Sequence, residues 1–116
     1  KSWSKQMGTS TSDYARGVSV DADGNVSFTG YTTAALDGQT HYGSDDLFLV
    51  KYNSSGTKLW ARQFGTSTLD RAVDVIHDAS GNAYIAGSTL GDLDYQRSKG
   101  GDDLFLVKYN SDGVKQ

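Results

Sequence analysis

The sequence has no cysteine and no proline, and a single methionine in 116 residues. Without cysteine there is no disulfide and no thiolate metal site. No apolar run approaches the roughly 20 residues that a membrane helix needs, so membrane insertion is not expected. No amino-terminal apolar segment reads as a signal peptide. Positive charge is also short: 11 Lys and Arg stand against 14 acidic residues, a net charge of −3. That balance offers no basic patch to a nucleic acid. The chain opens on Lys1 rather than Met, as expected of a mature form or a piece of a longer protein.

Glycine is what the chain has in quantity, 14 residues, and glycine without proline fits many tight turns between strands. Hydrophobic residues make up 36% of the chain, with Val, Leu, Tyr and Phe prominent, so a packed β core is possible. One stretch organises the rest. LFLVKYN at residues 47–53 returns 57 positions later at residues 104–110. Each copy follows a Gly and two Asp (Gly43, Asp45, Asp46; Gly100, Asp102, Asp103) and runs into Asn-Ser-x-Gly. The same spacing matches KSWSKQMG at 1–8 to KLWARQFG at 58–65, and DADGN at 21–25 to DASGN at 78–82. The chain is two copies of one supersecondary unit, which cannot bury its apolar faces alone.

Each unit reads as four short strands. Val18 and Val20 mark the first, with Ala72 to Asp78 as its copy. An Asp turn with a late Gly leads into the second, residues 26–32 and 83–89, as hairpin chemistry requires. The next segment differs most between copies, although Leu36, Asp37, Gln39 and Gly43 recur as Leu93, Asp94, Gln96 and Gly100. The third strand is the organising stretch, and residues 58–65 are the fourth. Such regular short strands predict an all-β fold. The third strand is apolar on both sides: Leu47 and Leu49 on one, Phe48, Val50 and Tyr52 on the other. It must be covered on both, which places Leu49, Val50, Leu106 and Val107 in a core. Four-stranded sheets stacked radially between neighbours meet that demand, as the blades of a β-propeller do.

The expectation is two four-stranded antiparallel blades per chain, with the ring completed by other copies or by a longer parent chain. Residues 1–8 would be an outer strand closing a neighbouring blade, residues 9–65 blade 1, and residues 66–116 blade 2, lacking most of its outer strand.

The pattern Trp…Gly-Thr-Ser…Asp…Val-x-Val-Asp-Ala-x-Gly-Asn…Gly-x-Thr…Leu-Asp…Gly-x-Asp-Asp-Leu-Phe-Leu-Val-Lys-Tyr-Asn-Ser-x-Gly resembles the bacterial β-propeller repeat family called SBBP. It covers nearly the whole chain, twice. His77 before Asp78 departs from it in the second copy. The resemblance implies a propeller and a bacterial extracellular or cell-surface setting. It implies no particular reaction.

Candidate sites divide into turns and loops. Residues 21–25 resemble the start of a calcium loop, but position 32 is Thr32 where a bidentate Glu is required, and the copy has Ser80 for Asp23. A structural hairpin turn is the reading, and no metal is expected. Asp45–Asp46 and Asp102–Asp103 are paired carboxylates. Neighbours in a strand point to opposite faces, so they cannot flank one glycosidic bond. One of each pair is expected to accept loop N–H groups and the other to face solvent. Asp13 and Asp70 could anchor neighbouring blades by hydrogen bonds, and Lys51 and Lys108 could pair with such an Asp or snorkel to an edge. His41 and His77 occupy different places in the repeat and make no metal set. Trp3, Trp60, Tyr52 and Tyr109 read as core.

Up-and-down order puts both tight turns on one rim and both long loops on the other. Binding residues on a rigid scaffold gather in such loops. The candidates are Asp37, Gln39, His41 and Tyr42, with Asp94, Tyr95, Gln96, Arg97 and Lys99 in the second copy. No catalytic residue and no cofactor is expected. The chain reads as a non-enzymatic scaffold or interaction surface, assembling as a ring of three or four copies or within a larger propeller. The alternatives are a lectin-like binder of glycan using the long loops, and a hydrolase or lyase on the same scaffold.

Overall fold

The computed structural model describes residues 2–93 and 96–116. Among the described residues there are seven strands: β1 Asp13–Val20, β2 Val26–Thr32, β3 Asp46–Tyr52, β4 Lys58–Phe64, β5 Asp70–His77, β6 Ala83–Thr89 and β7 Asp103–Tyr109. β1 to β4 form one sheet in sequence order and β5 to β7 a second. Every pairing within them is antiparallel. The fold is thus all-β, in two repeated units. Blade 1 has its four strands. Blade 2 has three, and the expected fourth is reduced to one bridge between Tyr109 and Lys115. Among the described residues no helix is long and apolar enough to cross a membrane.

The tight turns are all built the same way. Asp21 Oδ1 accepts the backbone N–H groups of Asp23 and Asn25, both at 2.9 Å. Asn53, Asp78 and Asn110 repeat the device at their own turns. The fourth residue of each turn takes positive φ: Gly24, Gly56, Gly81 and Gly113, at 80–83°. A side-chain acceptor followed by a left-handed residue closes the turn without straining the strands.

The main core lies between the blades. Leu47 and Leu49 of β3 pack with Ala72, Val75, Ile85, Val107 and Tyr109 of blade 2, with Trp60 and Phe64 against them. A smaller cluster of Leu36, Phe48, Val50, Tyr52 and Ala61 covers the other face of blade 1, where Met7 packs. The two repeats therefore differ sharply in burial. Leu47 and Leu49 are 1% and 0% exposed, whereas their counterparts Leu104 and Leu106 are 91% and 72% exposed. On the opposite face, Val75 is 2% exposed and its counterpart Val18 is 66%. Leu106, expected in the core, is on the surface because no third sheet stands against it; Val107 is buried as expected.

Residues 2–8, expected to be part of a strand, form none and pair with no strand among the described residues. A strand is defined by a partner, and none of the described strands pairs with them. They nevertheless lie along blade 1. Trp3 Nε1 donates to Ser54 O at 3.0 Å, as Trp60 Nε1 donates to Ser111 O at 3.2 Å in blade 2.

Candidate functional site

The rim with the long loops carries the candidate residues, and local hydrogen bonds fix most of its backbone. Leu36 is buried, and its N–H donates to Gln63 Oε1 at 2.8 Å. Gln39 N–H donates back to Leu36 O. Between them Asp37 takes φ 50° and Gly38 φ 74°, so the loop turns twice in left-handed conformation. Asp37 forms an ion pair with Lys58. Gln39 is half-buried, while His41 and Tyr42 are exposed. In the second copy Gln96 N–H donates to Leu93 O, and Gln96, Arg97 and Lys99 line a groove of about 800 Å³ along β7. Asp94 and Tyr95 lie outside the described residues. The candidates thus do not converge: the first set stands over blade 1 and the second borders the open edge of blade 2.

The carboxylates are occupied structurally. Asp46 accepts the N–H groups of Tyr42 and Gly43 and a bond from Gln63 Nε2, as expected of one member of its pair. Asp45, expected to face solvent, is buried and bonds Arg71 Nε of blade 2 at 2.6 Å. A basic residue on the facing blade draws it inward. Its counterpart Asp102 is exposed. The carboxylates of Asp13 and Asp70 bond within their own blades, while the Asp70 backbone N–H donates to Asp45 O of blade 1 at 2.8 Å and so joins the two blades as expected. Asp70 accepts Thr66 N–H at 2.6 Å and Thr89 Oγ1–H at 2.5 Å, and Asp13 repeats both bonds with Thr9 and Thr32. Burial pushes the Asp70 carboxyl up, against the pull of Thr89 and Thr66, and nearby Asp46 adds to the rise. Lys51 pairs with Asp21 at 3.3 Å, not with Asp13 or Asp70. Burial opposes ionisation of Asp21, but its bonds to Asn25, Lys51 and Asp23 outweigh that and lower its pKa. Both of its oxygens are thereby committed to protein donors, which suits a structural turn. Among the described residues no three His, Cys, Asp or Glu gather where they could hold a metal ion.

Two clusters span the blades where the sequence pattern gave no warning. The first is aromatic and cationic. Tyr14 and Tyr31 stack at 4.8 Å between ring centres. Arg16 Nη2 donates to Tyr31 Oη at 3.0 Å, and Arg71 lies 4.8 Å from the Tyr31 ring. Arg16 sits at a β-bulge, where the β1–β2 register shifts between Ala15 and Gly17. Such a cluster can meet a planar or anionic group by stacking and by charge. The only signal for it in the sequence is the Tyr-x-Arg spacing in β1, which puts those two side chains on one face but does not reveal Tyr31 or Arg71 on other strands.

The second centres on His77. Ser19 Oγ lies 2.9 Å from His77 Nδ1 and Ser27 Oγ 3.1 Å from Nε2. A histidine that departs from the repeat pattern therefore joins the blades by a polar contact.

Residues 2–36 and 59–94 match the SBBP family, described as a beta-propeller repeat. An uncharacterized WD repeat-containing protein of Acanthamoeba polyphaga mimivirus is 26% identical over 97 residues, covering 74% of this chain. The chain spans about 7% of the length of that relative.

Proposed function

We propose, starting from a chain that belongs to the SBBP beta-propeller repeat family, that it is a non-enzymatic scaffold and interaction module. It works outside the cell or at its surface, and copies of it complete a closed ring. The observation that carries this reading is the contrast between Leu47 and Leu104, the same residue of the repeat, buried in one blade and bare in the other. An apolar sheet face of that kind marks an interface. The similarity to a WD repeat-containing protein supports a repeat scaffold in general. The extracellular setting rests on the family resemblance, and finding the native protein only in the cytosol would overturn it. Light scattering on the purified chain tests the ring: a mass of three or four chains is expected, and a monomer at high concentration overturns it.

A second reading has the long loops bind a glycan. Exposed His41 and Tyr42 beside half-buried Gln39 favour it. A glycan array with the native chain and with Tyr42→Ala tests it, and absence of any bound glycan removes it.

A further inference from the structure

We infer that residues 3–7 of a second copy of this chain pair with the outer edge of β7, and that the second copy's Gln6 fills the groove beside Leu93. This rests on the scaffold reading above and adds the segment, the register and the residue that makes the joint. The joint within the chain supplies the geometry. β4 pairs with β3 as Leu47↔Phe64, Phe48↔Gln63, Leu49↔Arg62, Val50↔Ala61 and Lys51↔Trp60. Shifted by one repeat on each side, those pairs become Leu104 with Met7, Phe105 with Gln6, Leu106 with Lys5, Val107 with Ser4 and Lys108 with Trp3.

Residues 2–8 already hold the side-chain half of this role. Trp3 reaches the turn of its own blade 1 as Trp60 reaches that of blade 2. Met7 packs on the Phe48 cluster, and Phe64, at the same position, packs on the core between blades. What they lack is a backbone partner, and β7 has the matching edge. In blade 1, Gln63 locks the outer strand: Oε1 accepts Leu36 N–H, and Nε2 donates to Ala34 O and to Asp46 Oδ2, all at 2.8–2.9 Å. The counterparts Leu93, Gly91 and Asp103 line the 800 Å³ groove. Gln6 stands at the position of Gln63 and is exposed in the single chain.

The faces that would meet match independently of the strand. Within the chain, blade 1 presents Ser19 and Ser27 to His77 of blade 2. One repeat on, blade 2 presents Ile76 and Tyr84 to Val20 of the second copy. Ile76 and Val20 are both exposed in the single chain. A serine and the histidine have become Ile76 and Val20, and the Tyr84 hydroxyl is taken up by Asp78 Oδ2 at 3.1 Å, so the blade 2 face suits the blade 1 face of another copy. A buried histidine there would find Ile76 in place of the Ser19 hydroxyl, and a ring nitrogen left unpaired is costly.

The test uses the absence of native cysteine. Lys5→Cys and Leu106→Cys are made in separate chains, refolded together and mildly oxidised. Directly facing residues bring Cβ atoms to about 4.5–5.5 Å, an approach of about 1 Å from the roughly 3.5–4.5 Å of a disulfide, whereas a diagonal pair at about 7–8 Å is out of reach. A linked dimer is expected from the mixture and from neither variant alone, and none from Lys5→Cys mixed with Leu104→Cys. A native oligomer that never links positions 5 and 106 overturns the register and leaves the scaffold reading standing. A monomeric native chain overturns both. In a second measurement, Gln6→Ala keeps the native circular dichroism and weakens assembly by roughly tenfold or more, as loss of several hydrogen bonds implies. An unchanged dissociation constant would overturn the part given to Gln6.

Discussion

His77 carries hydroxyl groups of the other blade on both ring nitrogens, and its protonation state decides whether they stay. Burial lowers its pKa below 6.5; Lys51 lowers it further, while Asp21 and Asp78 oppose. The folded chain therefore binds fewer protons at this site than the unfolded chain, and stability rises with pH across the window between the lowered value and 6.5. Acidification from about pH 7 to about pH 5.5 should lower the melting temperature. His77→Gln, which does not titrate, should flatten that part of the profile. A variant as acid-sensitive as the native chain would show that another group is responsible. Gly113 poses a different question of fit. It has φ +80°, and a Cβ there would stand 2.7 Å from Trp60 Cδ2. Gly38 has φ +74° with open space around it. Gly113→Ala should cost roughly 1–3 kcal/mol in chemical denaturation. Gly38→Ala should cost less, since it bears the backbone strain without the clash.

β3 and β7 share one sequence and have unlike surroundings, and that difference should be measurable. β3 is buried along its whole length, while β7 alternates exposed and covered positions. In a dilute single chain, amide exchange should be slow in β3 and faster in β7, whose outer edge lacks a strand. Leu49→Ala should destabilise by roughly 2–5 kcal/mol, and Leu106→Ala by about 0.5 kcal/mol or less. Equal losses would mean that the blade 2 face is covered already. Much at this scale was legible beforehand. Strand positions followed from Val18, Val20 and the apolar stretch around Phe48. The turns followed from Asp and Asn placed before a late Gly. The unequal burial of Leu49 and Leu106 was not legible, because it depends on which sheet lies opposite and the two residues have identical neighbours in sequence. The ion pair of Asp45 escaped for the same reason: Arg71 is adjacent in space but 26 positions away. Arg16 escaped because Tyr31, to which it donates, lies on the facing strand 15 positions away.

For the whole molecule, the bare faces set the expected behaviour. Leu104→Lys combined with Leu106→Lys should leave a folded monomer in light scattering, since neither side chain supports the single chain. Persistence of the native mass would mean that another surface drives assembly. Three copies give six blades and four give eight, both within the roughly 4–8 blades that propellers use. The two kinds of joint add a rule of parity. A histidine between two serines closes the one within the chain, and in the proposed ring a valine between an isoleucine and a tyrosine would close the one between copies. Like cannot follow like, so the joints alternate around the circle as two colours must. A circle of alternating colours closes only on an even number, and five-bladed and seven-bladed rings lie beyond what copies of this chain can build.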